Sequence, residues 1–173
     1  GWVVFLKKLV LSKKLEFIGS GYAQIIGPLV PSKVNYWNQK IGTHIYEKLL
    51  GDRPRIALIN EMAYSKGILE HYDSYDGIIM DWNNPKSYNS NWKNEWKYYP
   101  QKVTGNDDKI MSIFWSNTIS FQKFQRYAHG EYDLGKYAEY LKQQNDKQNR
   151  YFPIYSNDAE IFDYRPGRFE TEK

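Results

Sequence analysis

The amino-acid sequence predicts an α/β fold with a parallel sheet, on three observations. Ile56 to Ile59 is an apolar run without a polar break, as in a strand buried on both faces. Gly77-Ile78-Ile79-Met80-Asp81 repeats that pattern, and Lys109 to Trp115 carries it again with Ile110, Met111, Ile113 and Phe114. Between the first two runs, Ile68 and Leu69 stand at helical offsets from Tyr64 and Ser65. Strand, helix and strand in that order call for parallel pairing through a right-handed crossover.

The other elements follow in chain order. Trp2 to Leu11 is apolar except at Lys7-Lys8, which predicts a mostly buried helix. Leu15-Glu16-Phe17-Ile18 alternates as a short strand does, and Gly19-Ser20-Gly21 closes it. Tyr22 to Pro31 reads as a loop punctuated by Pro28 and Pro31. Ser32 is a suitable N-cap for the clearest helix of the chain, residues 33–50, whose Val34, Trp37, Ile41, Ile45 and Leu49 keep helical spacing along one face before Gly51 ends it. The Tyr64 to Tyr72 segment is expected to be helical. Asn83 to Tyr99 reads as a long polar and aromatic loop holding Tyr88, Trp92, Trp96, Tyr98 and Tyr99. Gly105 to Asp108 is a turn, Thr118 to Tyr127 a weakly patterned helix, and Leu134 to Gln144 a firmer one with Leu134, Tyr137, Ala138 and Leu141 on one face. Tyr151 to Tyr155 is expected as a last strand.

The predicted strands deliver acids where they end: Glu61 after Ile59, Asp81 after Met80, and Asp158 with Glu160 after Tyr155. The C-terminal ends of parallel strands are where α/β folds place their chemistry. Two carboxylates facing each other are the minimum equipment for cleaving a glycosidic bond, one kept protonated for the leaving oxygen and one ionised as nucleophile or base. Retaining enzymes hold them about 5–5.5 Å apart and inverting ones roughly 6.5–9.5 Å. The same acids would also suit loop ends, helix caps or a metal. His44, His71 and His129 form no His-x-His or His-x-x-x-His pair, so no metal site is expected.

Composition narrows the partners. Aromatic residues make up 17% of the chain, with 16 Tyr and 6 Trp, a surplus suited to stacking on flat apolar faces such as sugars and bases. The net charge of +4 is mild, and only Lys7-Lys8 and Lys13-Lys14 cluster, so nucleic acid is not expected as a partner. Without cysteine there is neither a disulfide nor a thiolate metal site. No apolar run approaches the roughly 20 residues that span a membrane. Trp2 to Leu11 lacks the cleavage site of a signal peptide, and the expectation is a cytoplasmic chain without a membrane partner.

Several short motifs, in order, resemble glycoside hydrolase family 57. They are Lys14-Leu15-Glu16-Phe17-Ile18-Gly19-Ser20-Gly21-Tyr22 with Pro28-Leu29-Val30-Pro31, Gln39 in the following helix, Asn60-Glu61-Met62-Ala63-Tyr64-Ser65, Phe114 to Glu131, and Asn157-Asp158-Ala159-Glu160-Ile161-Phe162. The resemblance covers residues 10 to 168. It implies a partial (β/α)7 barrel, α-glucan substrates, retention of configuration and no required metal or other cofactor. It implies Glu61 as nucleophile, Asp158 as acid/base and Glu16 as a sugar-binding residue. Tyr22, Asp81, Trp82, His129 and Glu160 complete the expected substrate contacts, with Trp92 and Trp96 as further stacking surfaces. Departures are Asn60 where Pro, Thr or Ala is common, Ala159 in place of Gly, and Trp115 in place of Arg. The family's first strand has no counterpart, so residues 1–173 are expected to be a single catalytic domain, a fragment that lacks that strand and has remaining segments of a parent chain among its partners. A carbohydrate-binding protein without catalysis is the alternative.

Overall fold

The computed structural model of the chain describes residues 1–106, 108–145, 148, 154 and 156. They form two compact units: Gly1–Met80 with Gln101–Phe114, and Asp81–Pro100 with Trp115–Lys173.

The first unit is built on a mixed sheet. Its strands are β1 (Ile56–Leu58), β2 (Gly77–Asp81), β3 (Gln101–Thr104) and β4 (Ile110–Ser116), in the order β1-β2-β4-β3. β1 and β2 are parallel, with Ile56 opposite Gly77 and Leu58 opposite Ile79, as the strand-helix-strand order requires. Every residue of β2 is buried, which accounts for its unbroken apolar sequence. Gly77 lies where a side chain could not: a Cβ there would stand 2.7 Å from the Phe114 ring and 2.9 Å from the Ser112 carbonyl oxygen. β3 runs antiparallel to β4, with Gln101 opposite Ile113 and Thr104 opposite Ile110. Its sequence gives no strand signal because it alternates half-buried and exposed positions with Val103 as the only aliphatic residue.

The expected strand Leu15–Ile18 is instead a single parallel bridge one residue later, Gly19 to Ala57. Leu15 N–H is already engaged by the Leu9 carbonyl at 3.3 Å, which keeps the start of this segment folded back on the preceding helix. The helical segment after Glu61 is a 3-10 helix over Lys66–Tyr72.

Both helices of this unit form where the sequence predicts, but neither buries the predicted face. Of α1 (Trp2–Leu11), only Val10 is buried. In α2 (Ser32–Leu50) the stripe Val34, Trp37, Ile41 and Leu49 faces outward, with Trp37 47% exposed. The buried residues are Asn35, Asn38, Gln39 and Gly42. For Asn35 and Asn38 the reason is the loop that lies against them, whose backbone needs partners. Asn38 Oδ1 accepts from Tyr22 N–H at 3.2 Å and Ala23 N–H at 2.7 Å, while its Nδ2 donates to the Ala23 carbonyl at 3.1 Å. Asn35 Nδ2 donates to the Gly27 carbonyl at 2.8 Å, and Gln39 Oε1 accepts from the Tyr75 hydroxyl at 3.2 Å. An amide offers donor and acceptor together, so it serves a loop where leucine would orphan it. Pro31, not Ser32, is the N-cap of α2; the Ser32 hydroxyl turns toward His71 Nε2 at 3.2 Å. Gly51 ends the helix at φ 79°, as predicted.

Tyr72 and Tyr75 are buried with ring centroids 5.9 Å apart. Burial, reinforced in Tyr72 by its neighbour Tyr75, pushes both phenols up to about 12 from the usual 10. The unfolded chain therefore loses these protons first. Their contribution to stability is complete below pH ~10 and disappears as pH rises toward about 12. Chemical denaturation followed at pH 9 and 11.5 should show a loss of about 2 kcal/mol per tyrosine, removed by the double Tyr→Phe variant.

The second unit carries α3 (Asn83–Tyr88), a 3-10 turn over Asn94–Tyr98, α4 (Thr118–Ala128) and α5 (Leu134–Gln144). The segment expected as an open loop, Asn83 to Tyr99, thus contains two helical turns. It is organised on a tryptophan cluster: Trp82 lies 5.9 Å from Trp92 and 5.4 Å from Trp115, and Trp92 lies 6.2 Å from Trp96. α4 and α5 keep the predicted extents. Asn117 and Asp133 cap them, accepting from Ser120 N–H at 3.0 Å and Lys136 N–H at 2.8 Å. Their shared face is aromatic, with Tyr127 and Tyr137 stacked at 5.0 Å. The expected strand Tyr151–Tyr155 lies outside the described residues except for Ile154, whose carbonyl accepts from Asn117 N–H at 2.8 Å.

Candidate active site

Glu61 is presented by a strained turn. After β1, Ile59 N–H still reaches the Ile79 carbonyl at 3.3 Å, and the chain then turns through a 3-10 segment, Asn60–Met62. Met62 N–H bonds the Ile59 carbonyl at 2.9 Å and Ala63 N–H the Asn60 carbonyl at 3.1 Å. Closing the turn this tightly puts both Glu61 (φ 55°) and Met62 (φ 52°) in the left-handed region. That region costs a residue with a side chain about 1–2 kcal/mol, and such strain gathers at functional sites.

Asn60 anchors the turn. It is buried, and its Nδ2 donates to the carbonyls of Ser20 at 3.1 Å and Ala23 at 3.4 Å. The loop Ser20–Gln24 is thereby held from α2 by Asn38 and from the end of β1 by Asn60. One consequence is a contact the sequence analysis missed: Gln24 Nε2 donates to Glu61 Oε1 at 2.6 Å. Among the described residues Glu61 has no other hydrogen-bond partner, and its side chain is exposed.

Of the other expected site residues of this unit, Tyr22 belongs to the loop fastened to that turn and Glu16 does not. Tyr22 stands on the same loop, 64% exposed, with its ring in the open. Glu16 sits at the opposite end of β1. The parallel bridge of Gly19 to Ala57 puts it level with the start of the strand, and there it shares a cleft with Val10, Lys13, Asp52 and Arg55. Asp76 first, and Glu16 after it, raise the Arg55 guanidinium further above its usual range. Glu16 and Glu61 are therefore not brought together.

In the second unit Asp81 is buried, 7% exposed. It accepts from Asn83 N–H at 3.1 Å and Asn84 N–H at 2.7 Å, and from the Thr118 hydroxyl. The acid at this strand's end thus binds the first backbone N–H groups of α3 and ties them to the start of α4. Replacing Asp81 with alanine should destabilise the protein by about 2–4 kcal/mol in thermal or urea melts, because three donors lose a charged acceptor. Trp82 is 4% exposed, with the Trp92 ring tilted against it and the Trp115 ring edge-on; Trp92 and Trp96 are the half-exposed members of the cluster. His129 is the C-cap of α4, donating N–H to the Gln125 carbonyl at 2.9 Å, just before Gly130 at φ 76°. Asp158 and Glu160 lie outside the described residues. Among the described residues no group of three His, Asp or Glu side chains could hold a metal ion, and no helix is long and apolar enough to cross a membrane.

The chain belongs to glycosyl hydrolase family 57, whose model matches residues 4–172. No curated protein matches it. Among solved structures it is similar to the 4-alpha-glucanotransferase from Thermococcus litoralis, with 15% identity and a TM-score of 0.73 over 96% of this chain and 25% of that one. It is also similar to the alpha-amylase AmyC from Thermotoga maritima, at 17% identity and TM-score 0.59, covering 96% of this chain and 34% of the other. The GH57-type branching enzyme from Pyrococcus horikoshii follows, at 13% identity and TM-score 0.54, covering 88% and 32%. At these identities the likeness is one of fold, and it places the sheet and its helices within a part of those enzymes' fold. The chain spans about a quarter to a third of the length of each.

Proposed function

We propose that the chain is the part of a retaining α-glucan hydrolase or glucanotransferase that carries the catalytic nucleophile. Glu61 attacks the anomeric carbon and forms a covalent glycosyl-enzyme, while Asp158 protonates the departing glycosidic oxygen. Asp158 then takes a proton from water or from an acceptor sugar hydroxyl, which attacks the same carbon and restores the original configuration. Two inversions give net retention. Tyr22, Trp92 and Trp96 would offer rings to the sugars. Further segments of a longer polypeptide complete the barrel, and the working compartment is the cytoplasm.

The observation that carries this reading is the backbone of Glu61. A left-handed glutamate with an exposed carboxylate is retained at an energetic cost, and the motif Asn60-Glu61-Met62-Ala63-Tyr64-Ser65 that holds it resembles the family's nucleophile segment. The test is turnover of a panel of α-glucans and maltooligosaccharides, with the first-formed product anomer read by NMR. Retained configuration, lost in Glu61→Gln and in Asp158→Asn, is the expected result. Inverted products, or full turnover by Glu61→Gln, would remove Glu61 as nucleophile. Sugar binding without any turnover would favour the non-catalytic carbohydrate-binding protein.

A further inference from the structure

We infer that Gln24 is a positioning residue for the reactive carboxylate: its side-chain amide immobilises Glu61 Oε1 and leaves Oε2 as the attacking oxygen. The inference rests on Glu61 being the nucleophile. Three observations lead to it.

The first is that the bond joins two residues whose neighbours are already fastened to each other. Two exposed, flexible side chains that meet in water gain little, because ordering them costs about as much as the contact returns. Here that ordering is done beforehand. Ala23, next to Gln24, accepts from Asn60 Nδ2 at 3.4 Å, and Asn60 is the residue next to Glu61. Ala23 is also gripped on both backbone groups by Asn38, at 2.7 and 3.1 Å. The separation of the two backbones is thus set by Asn38 and Asn60, and the 2.6 Å contact between Gln24 and Glu61 follows from it.

The second is the left-handed pair Glu61 and Met62, which fixes the direction in which the glutamate leaves the backbone. A side chain with three rotatable bonds still needs one fixed atom at its far end to hold the carboxylate plane. Gln24 is the only group among the described residues that supplies one.

The third is chemical. An amide N–H donates to an anion without being able to give its proton away, and it does not titrate in the working pH range. A carboxylic acid in its place would share a proton with Glu61 and quench the nucleophile, since like charges at hydrogen-bond distance cannot both ionise freely. The carbonyl oxygen of the same amide remains as an acceptor for a sugar hydroxyl. Gln24 touches Glu61 but not the reacting carbon, so it positions and does not itself react.

The experiment compares the parent chain with Gln24→Glu and Gln24→Met, each screened by circular dichroism and thermal melting. In protein labelled with 13C at glutamate carboxyls, the Glu61 signal, assigned by its loss in Glu61→Gln, is followed against pH without need of turnover. In Gln24→Glu the Glu61 signal should titrate in two steps separated by more than about one pH unit, as a coupled pair does. A single unshifted step would overturn the contact. In Gln24→Met, kcat should fall by about 10–100-fold with KM little changed, the effect of a reacting group misplaced by about an ångström. The rate at which a carbocyclic sugar epoxide labels Glu61 should fall by a similar factor. Coupled titration in Gln24→Glu together with unchanged kcat and labelling in Gln24→Met would overturn positioning. Turnover that survives Glu61→Gln would instead overturn the nucleophile assignment, so the two failures are distinct.

Discussion

Replacing Glu61 with glycine is expected to reduce turnover by at least about 10⁴-fold while making the folded chain more stable. The two effects have separate origins. Loss of a nucleophile removes the covalent path, and comparable deletions in other enzymes cost four to six powers of ten, roughly. The backbone effect runs the other way. Glu61 sits at φ 55° and ψ 15°, where a Cβ crowds the following carbonyl and a glycine does not. The gain should be about 1 kcal/mol after the greater freedom of unfolded glycine is subtracted. Glu61→Gln separates the terms, since it removes the nucleophile but keeps the Cβ, and should leave stability within about 0.5 kcal/mol of the parent. Urea unfolding of the three proteins, beside their activities, checks both halves. A glycine variant less stable than the parent would show that the turn carries no strain.

Gly42→Ala should cost about 3 kcal/mol or more, although alanine is the better helix former by about 1 kcal/mol. Gly42 is in the middle of α2, where glycine would ordinarily be a weakness. A Cβ built there would lie 2.5 Å from the Gly21 carbonyl carbon and 2.7 Å from the Tyr22 nitrogen, both backbone atoms that no rotamer change can move aside. Either the helix or the loop must retreat. If the loop retreats, Asn38 loses its grip on Tyr22 and Ala23, and Gln24 moves away from Glu61. The substitution should therefore lower both the melting temperature and turnover. An unchanged melting temperature would mean that the helix and loop are not in this close register.

Much of the fold was legible in the sequence. Continuous apolar runs located β1, β2 and β4, and helical spacing of apolar residues located α2 and α5, with a weaker pattern at α4. The position of Glu61 just past β1 followed from the length of its run. The inward face of α2 did not follow, because amphipathic logic sends apolar residues inward and here the loop's demand for partners outweighed it. A readable signal did exist: Asn35, Asn38 and Gln39 repeat at helical spacing, a stripe of amides whose first two members serve the backbone of the loop. Asp81 likewise had a mark of its role in Asp81-Trp82-Asn83-Asn84-Pro85, an acid just before a helix start with proline in the first turn. Gln24 had none. Its contact spans 37 residues and depends on two asparagines elsewhere, so no local pattern announces it.

The polar seam between α2 and its loop has a thermodynamic consequence. Burying amides and backbone groups lowers the heat capacity of unfolding, whereas burying aliphatic surface raises it. This chain does the first at Asn35, Asn38 and Gln39 and leaves Val34, Trp37, Ile41 and Leu49 partly exposed to water even when folded. Its heat-capacity increment per residue should therefore fall below the usual value of about 12–15 cal/mol/K. The curve of stability against temperature is correspondingly flat, and warming erodes the hold on Glu61 gradually.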